Sequence, residues 1–220
     1  SSATSAGNNE WFVRELLPEL KLQAKQEGRN VYDMMDEWVE SISPTEFVPI
    51  FLPFTMASNV HPNAKGSFVG ISYSHKRKHI VRSVFEGITF SHRYHLEKLL
   101  ATREEPPKAI RLSGGAAKAK VWVQMFADVM QLPVETLSAD ENGALGCAIA
   151  AAKATGEYKD LSDAVRHMSR ISDAVMPNAA LKDIYDRKYR LYLRAIESLD
   201  PFWDEMQSLI EFSEGEEFNS

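Results

Sequence analysis

The sequence predicts an α/β fold, and three observations predict it. An apolar run, Ala109 to Leu112, passes through Ser113-Gly114-Gly115 into a helix reaching about Met130, on which Trp122, Phe126 and Met130 form one stripe and Val121, Met125 and Val129 lie beside it. A second short run, Val134 to Leu137, passes into an alanine-rich segment that stops at Gly156. Strand, helix, strand, helix in this succession indicates layered α/β packing with parallel strands. At 220 residues the chain is long enough for one domain with extensions.

The remaining elements follow in order. From Glu10, the spacing of Phe12, Leu16, Leu17 and Leu20 predicts a helix ending before Gly28, and Val31 to Val39 predicts a second. Phe47 to Phe54 is apolar but carries Pro49 and Pro53, which suits an edge strand or an extended loop. Phe68 to Ile71 reads as a short strand. A long helix is expected from about Lys78 to Leu100, with Ile80, Val84, Ile88, Ser91, His95 and Leu99 on one face. Pro106-Pro107 ends the connection to the strand at Ala109. Ser138 and Glu141 have capping-box spacing for the helix that runs to Gly156. Beyond lie a helix at Asp160 to Met168, a strand at Ile171 to Met176, and a helix with Leu181, Ile184, Tyr185, Tyr192, Ile196 and Leu199 on one stripe, broken by Pro201. The acidic end, Glu211 to Ser220, reads as disordered, as an interaction segment or as a vector remnant.

Composition narrows the function classes. A hydrophobic fraction of 44% and a charged fraction of 25% are ordinary for a globular chain. No apolar stretch is long enough for a membrane span and the polar start, SSATSAGNN, is no signal peptide, so a cytoplasmic protein with no membrane partner is expected. The net charge of −6 argues against nucleic acid as a partner. Lys76-Arg77-Lys78-His79 is a local exception that reads as a solvated first helical turn. Cys147 is the only cysteine and is read as a core thiol, since nothing basic adjoins it. The absence of an initiator methionine makes the chain look like an excised piece or a processed product.

The Gly114-Gly115 turn is the strongest candidate for chemistry. Paired glycines remove the Cβ atoms that hold a ligand off and tolerate positive φ, and the helix after them points unsatisfied N–H groups past the strand end. Read alone, the same pattern is more often a tight connection than a site. Gly143 and Gly146 make one thin helix face, suited to pressing against the glycine turn or a neighbouring helix, with nucleotide contact secondary. No metal site is expected: His75 with His79, and His92 with His95, have helical spacing but no further ligand in sequence. Asp33 with Asp36 and Asp160 with Asp163 fit helix surfaces and caps better than acid–base work. There is no Gly-x-x-x-x-Gly-Lys loop and no Gly-x-Gly-x-x-Gly.

Five segments together carry a resemblance. GSFVGISYSHKRKHIVRSVFE from Gly66 to Glu86, LSGGAAKAKVWVQMFADVM from Leu112, and DENGALGCAIAAAKATG from Asp140 to Gly156 resemble the second signature, the adenosine-side glycine turn and the Glu-x-Gly-Ala-x-Gly helix of the FGGY carbohydrate kinases, in family order and spacing. NNEWFVREL at Asn8 to Leu16 and GITFSHRYHLEKLL at Gly87 to Leu100 are most similar to the xylulose and L-xylulose kinase branch. The resemblance extends from Ser1 to about Leu199. It implies an actin-like ATPase (ribonuclease H-like) C-terminal domain, a mixed sheet flanked by helices. Residues 1–9 would be a flexible remnant of the cleft, 10–200 the nucleotide-binding domain and 201–220 an extension with the acidic tail.

The resemblance also implies a function and its residues. The parent would transfer the γ-phosphoryl of ATP, with Mg²⁺, to a ketopentose such as xylulose or L-xylulose. The sugar-holding N-terminal domain, the aspartate general base and a Gly-Thr phosphate hairpin are expected outside these residues, so no catalytic residue is assigned and the chain alone is expected to be inactive. Gly115 and Ala119, four residues on, match positions that touch the ribose or adenine, with Gly114 beside them. Ala6 and Glu10 match cleft positions at the start of a helix. Ser or Asn is usual where this chain has Ala119, a departure worth about one hydrogen bond, roughly 0.5–1.5 kcal/mol. Homodimerisation is left open. Two rivals stand beside this reading: an actin-like nucleotide module for regulation or assembly without sugar chemistry, and a structural domain whose glycine turn binds nothing.

Overall fold

A computed structural model describes residues 6–102, 104–138 and 141–217. The chain packs as two compact units: residues 104–180 make one, and the flanking stretches, up to 102 and from 181, make the other.

The flanking unit opens with α1 (Ala6–Leu16) and α2 (Pro18–Glu27). These are two helices rather than the single one expected from Glu10. Pro18 supplies no N–H and forces the residue before it out of the α region, and Leu17 accordingly sits at φ −126°, ψ 39°. The stretch expected to be flexible divides: residues 1–5 lie outside the described residues, and 6–9 form the first turn of α1 with Asn8 and Asn9 buried. Gly28 ends α2 in the left-handed region at φ 65°, and the Arg29 N–H closes back onto the Ala24 carbonyl at 2.9 Å. Asn30 then caps α3 (Val31–Glu40), its side chain accepting from the Tyr32 N–H at 3.0 Å.

The proline-flanked apolar run yields β1 (Ile50–Leu52), paired antiparallel with β2 (Ser67–Val69) through Phe51 and Phe68. Over this pair runs α4 (Arg77–Leu100), whose residues from Val81 to Ser91 are all buried. One stripe was too narrow an expectation: the middle of α4 is enclosed on every side, whereas Leu99, assigned to the stripe, is 63% exposed. Close approach is possible because of Gly87, where a Cβ would fall 2.2 Å from the Phe51 carbonyl oxygen. The unit is completed by α8 (Lys182–Leu199) and α9 (Phe202–Glu217). Tyr189 and Tyr192 of α8 pack their rings on Phe90, and α9 docks through buried Trp203. The acidic residues 211–217 continue α9 as helix.

The inserted unit holds β3 (Ile110–Leu112), α5 (Lys120–Met130), β4 (Val134–Leu137), α6 (Asn142–Ala154), α7 (Leu161–Met168) and β5 (Ile171–Val175). β3 and β4 are parallel and β5 joins β4 antiparallel, giving a three-stranded mixed sheet in the order β3-β4-β5. α5 buries Trp122, Met125, Phe126 and Val129 of its two stripes, while Val121 and Met130 at its ends are half-buried. The start of α6 differs from expectation. The N-cap is Glu141, without a side-chain cap bond, and the Ser138 hydroxyl donates instead to the Arg170 carbonyl at 3.2 Å, beside β5. No residue of α6 is buried, and Cys147, expected in the core, is exposed. The principal packing partner of α6 is α7. Among the described residues no helix is long and apolar enough to cross a membrane.

Candidate nucleotide site

The glycine turn occupies the carboxyl end of the parallel pair. β3 and β4 run in the same direction, so the chain leaving Leu112 and the chain leaving Leu137 emerge at one end of the sheet, the end where open α/β sheets place their ligands. Gly114 adopts φ 83°, ψ −161°, a region essentially reserved for glycine. The positive φ foreseen for this turn thus belongs to Gly114, and Gly115 does not share it. The following helix is not continuous from Gly115 either. A single 3-10 turn covers Gly115–Lys118, closed by the Ala117 N–H on the Gly114 carbonyl at 3.1 Å, and α5 begins only at Lys120.

Ala119 therefore stands at the junction of the two helices. It is the N-cap of α5 in an extended conformation, and its carbonyl accepts from the N–H groups of Trp122 and Val123, both at 2.9 Å. Its methyl group supplies no cap bond. Ser113, Gly114 and Gly115 are exposed, and a Cβ at either glycine would meet no atom within 4 Å. The result is a shelf of bare backbone, backed by a helical turn whose first N–H groups lack intrahelical partners. Such a shelf can receive a ribose or phosphate oxygen without displacing any side chain.

Gly143 and Gly146 were expected to press against a neighbour. They do not: a Cβ at either would meet nothing within 4 Å. Ala6 is the first residue of α1, and Glu10, exposed on the same helix, adds its negative charge to the burial that raises the Tyr32 pKa. These two belong to the flanking unit, and Gly114, Gly115 and Ala119 to the other.

The histidine pairs are used structurally. The His79 ring takes the Lys76 N–H on Nδ1 at 2.8 Å and places Nε2 2.9 Å from Glu46, while His75 Nδ1 accepts from the Ser72 N–H at 2.9 Å. Burial, then the neighbouring His95, lowers the His92 pKa to about 4, so its ring is neutral at physiological pH. Asp160 caps α7, accepting from the Asp163 N–H at 2.8 Å. Among the described residues no three His, Cys, Asp or Glu side chains gather to hold a metal.

Sequence reasoning passed over one buried cluster. Within the second signature, Arg82 Nε donates to Glu86 at 2.8 Å, and Lys188 of α8 reaches the same carboxylate. Its signal was present: two opposite charges four residues apart inside an otherwise apolar helix, IVRSVFEGITF.

The profile of the FGGY family of carbohydrate kinases, C-terminal domain, matches residues 1–155. The L-xylulose/3-keto-L-gulonate kinase of Escherichia coli is 32% identical over 202 residues, which span 92% of this chain and 38% of that protein. A probable L-xylulose kinase of Haemophilus influenzae is 32% identical over 90% of this chain and 38% of its own length. Among solved structures, the xylulose kinase from Rhodospirillum rubrum superposes with a TM-score of 0.75 at 27% identity, covering 90% of this chain and 38% of that one. The chain thus spans well under half the length of these relatives. With its mixed sheet, its glycine turn at the strand ends and its profile match, the chain belongs to the FGGY family of carbohydrate kinases and corresponds to their C-terminal domain.

Proposed function

We propose that this chain is the nucleotide-binding part of a cytoplasmic ATP-dependent sugar kinase acting on a ketopentose, xylulose or L-xylulose first. The observation that carries the reading is the bare Gly114-Gly115 shelf at the carboxyl end of β3, in a chain that matches the FGGY C-terminal domain. The names of the relatives support the sugar class.

The residues present fit a nucleoside. Gly114 and Gly115 leave the space that a Cβ would fill, and the 3-10 turn offers backbone N–H groups beside it. Bound there, ATP supplies the phosphoryl group that is transferred. Ala119 would meet the base by shape and backbone alone, and Ala6 and Glu10 are the further positions assigned to the cleft. Mg²⁺ would arrive on the nucleotide's own phosphates, as it does where one or two carboxylates and a substrate share it. Positioning and charge stabilisation dominate phosphoryl transfer. The residues that activate the sugar hydroxyl are assigned outside this chain.

Separate assays test the two halves of this reading. A titration of the 220-residue chain should show saturable ATP binding, and incubation with ATP, Mg²⁺ and xylulose or L-xylulose should yield no sugar phosphate. Turnover by the chain alone would contradict the assignment of the catalytic base elsewhere.

A further inference from the structure

A groove in the flanking unit, formed by α2, α3 and the start of α4, has no part in the nucleotide reading. It encloses about 360 Å³, which is monosaccharide-sized and near the lower end of small-molecule sites. Its walls combine the half-buried indole of Trp38 and the aliphatic Leu20 with Lys76, Arg77 and Lys78. In a chain of net charge −6, three consecutive cations in one wall form a marked local excess. The one acid in the lining, Glu19, lies 3.3 Å from Arg77, and both side chains are largely exposed. An exposed pair of this kind is worth little and yields readily to a stronger anion. Among the described residues Lys78 donates to a neutral partner, the Ser41 hydroxyl at 3.4 Å.

We infer that this groove binds a small phosphorylated sugar. The phosphate would sit against Lys76 and Arg77, whose charges give the strong class of hydrogen bond. The flat indole of Trp38 offers an apolar face to the C–H side of a sugar, and the Glu19 carboxylate with the amide oxygen of Gln23, whose nitrogen donates to Glu27 at 2.7 Å, offers acceptors to its hydroxyls. A bare phosphate would leave the indole unused, and a free sugar would leave the cations unused. Because the groove lies in the flanking unit and the glycine turn in the other, this inference stands whether or not the turn binds ATP.

The test is a titration of the whole 220-residue chain with a pentulose 5-phosphate, followed by tryptophan fluorescence and calorimetry. A saturable fluorescence change is expected, lost in Trp38→Phe. Binding should weaken about tenfold or more in the exposed pair Lys76→Gln and Arg77→Gln, whose unfolding midpoint should match the parent chain, and should be unchanged in Gly115→Val. Inorganic phosphate and the unphosphorylated pentulose should each bind about tenfold more weakly or worse. The inference is overturned by an absence of saturable binding, by affinity unchanged in the lysine and arginine variants, or by inorganic phosphate binding as tightly as the sugar phosphate.

Discussion

The ammonium of Lys188 lies 2.9 and 3.0 Å from the two carboxylate oxygens of Glu86, tying α8 to the middle of α4 where both side chains are almost wholly buried. Glu86 also accepts from Arg82, whose guanidinium continues to the carbonyls of Val39 at 2.9 Å and Ile42 at 2.7 Å and to the Tyr185 hydroxyl at 3.1 Å. One carboxylate thus faces two cations, the second shared among neutral acceptors. Burial lowers the Lys188 pKa, and Glu86 opposes that shift.

The consequence is asymmetric. Glu86→Gln leaves Arg82 and Lys188 buried without a counter-charge and should cost about 3–5 kcal/mol. Lys188→Met should cost less, about 1–2 kcal/mol, because Glu86 keeps the Arg82 guanidinium as its counter-charge and no buried ion is left unpaired. Urea unfolding of both variants checks the order; equal losses would mean that the charge balance does not govern this core.

Gly87→Ala should cost about 3 kcal/mol, because its Cβ would meet the Phe51 carbonyl at 2.2 Å and a backbone oxygen in β1 cannot turn away. A midpoint unchanged in thermal or urea unfolding would show that α4 and β1 can separate at little cost.

Asp36 gives the chain a pH dependence. Its half-buried carboxyl is raised to about 6, first by burial and then by Asp33 and Glu40, and its Oδ1 has no hydrogen-bond partner among the described residues. The folded state therefore holds this proton more tightly than the unfolded chain. Its contribution to stability is complete below the unfolded value of 3.8 and is lost as pH rises through about 6. Asp36→Asn should remove that slope and stabilise the chain at neutral pH by about 1 kcal/mol, the partial exposure keeping the gain small. Melting curves across this range of pH would show the slope persisting in the variant if another group is responsible.

Ala119→Asn should act twice. As the N-cap of α5, Asn would accept from a first-turn N–H and stabilise the helix by about 1 kcal/mol. If the base also lies there, preference for ATP over GTP should sharpen by about tenfold or less. A higher melting temperature with unaltered nucleotide preference would assign the position to capping alone.

Much of this was legible in the sequence because local chemistry fixed it. Gly28 ends α2, Asp160 caps α7, and the strand–glycine–helix order of residues 110–130 survives in β3, the turn and α5. What escaped depended on a competing local rule or on distant partners. Pro18 split a helix whose apolar spacing continued unbroken through it. Burial on all sides of α4 comes from α1, α3, β1 and α8, elements far away in sequence, so one stripe could not express it. The Ser138 hydroxyl found a carbonyl in the chain leading into β5 instead of a helix end. Cys147 sits among alanines that resemble a core but lie on a helix with little covering it. At the site, the sequence located the glycines but not their division of labour: Gly114 holds the strained dihedrals, and Gly115 leaves the open space.

That division makes calorimetric titration of ATP into the chain and its Gly115→Val variant the most direct measurement. Position 115 has no positive φ and no atom within 4 Å of a Cβ, so Val should leave the fold and its unfolding midpoint intact while filling the space assigned to the nucleoside. ATP affinity should fall about tenfold or more in the variant. Equal affinity in two equally stable proteins, or no saturable ATP binding by either, would contradict the assignment of the glycine turn as the nucleotide site.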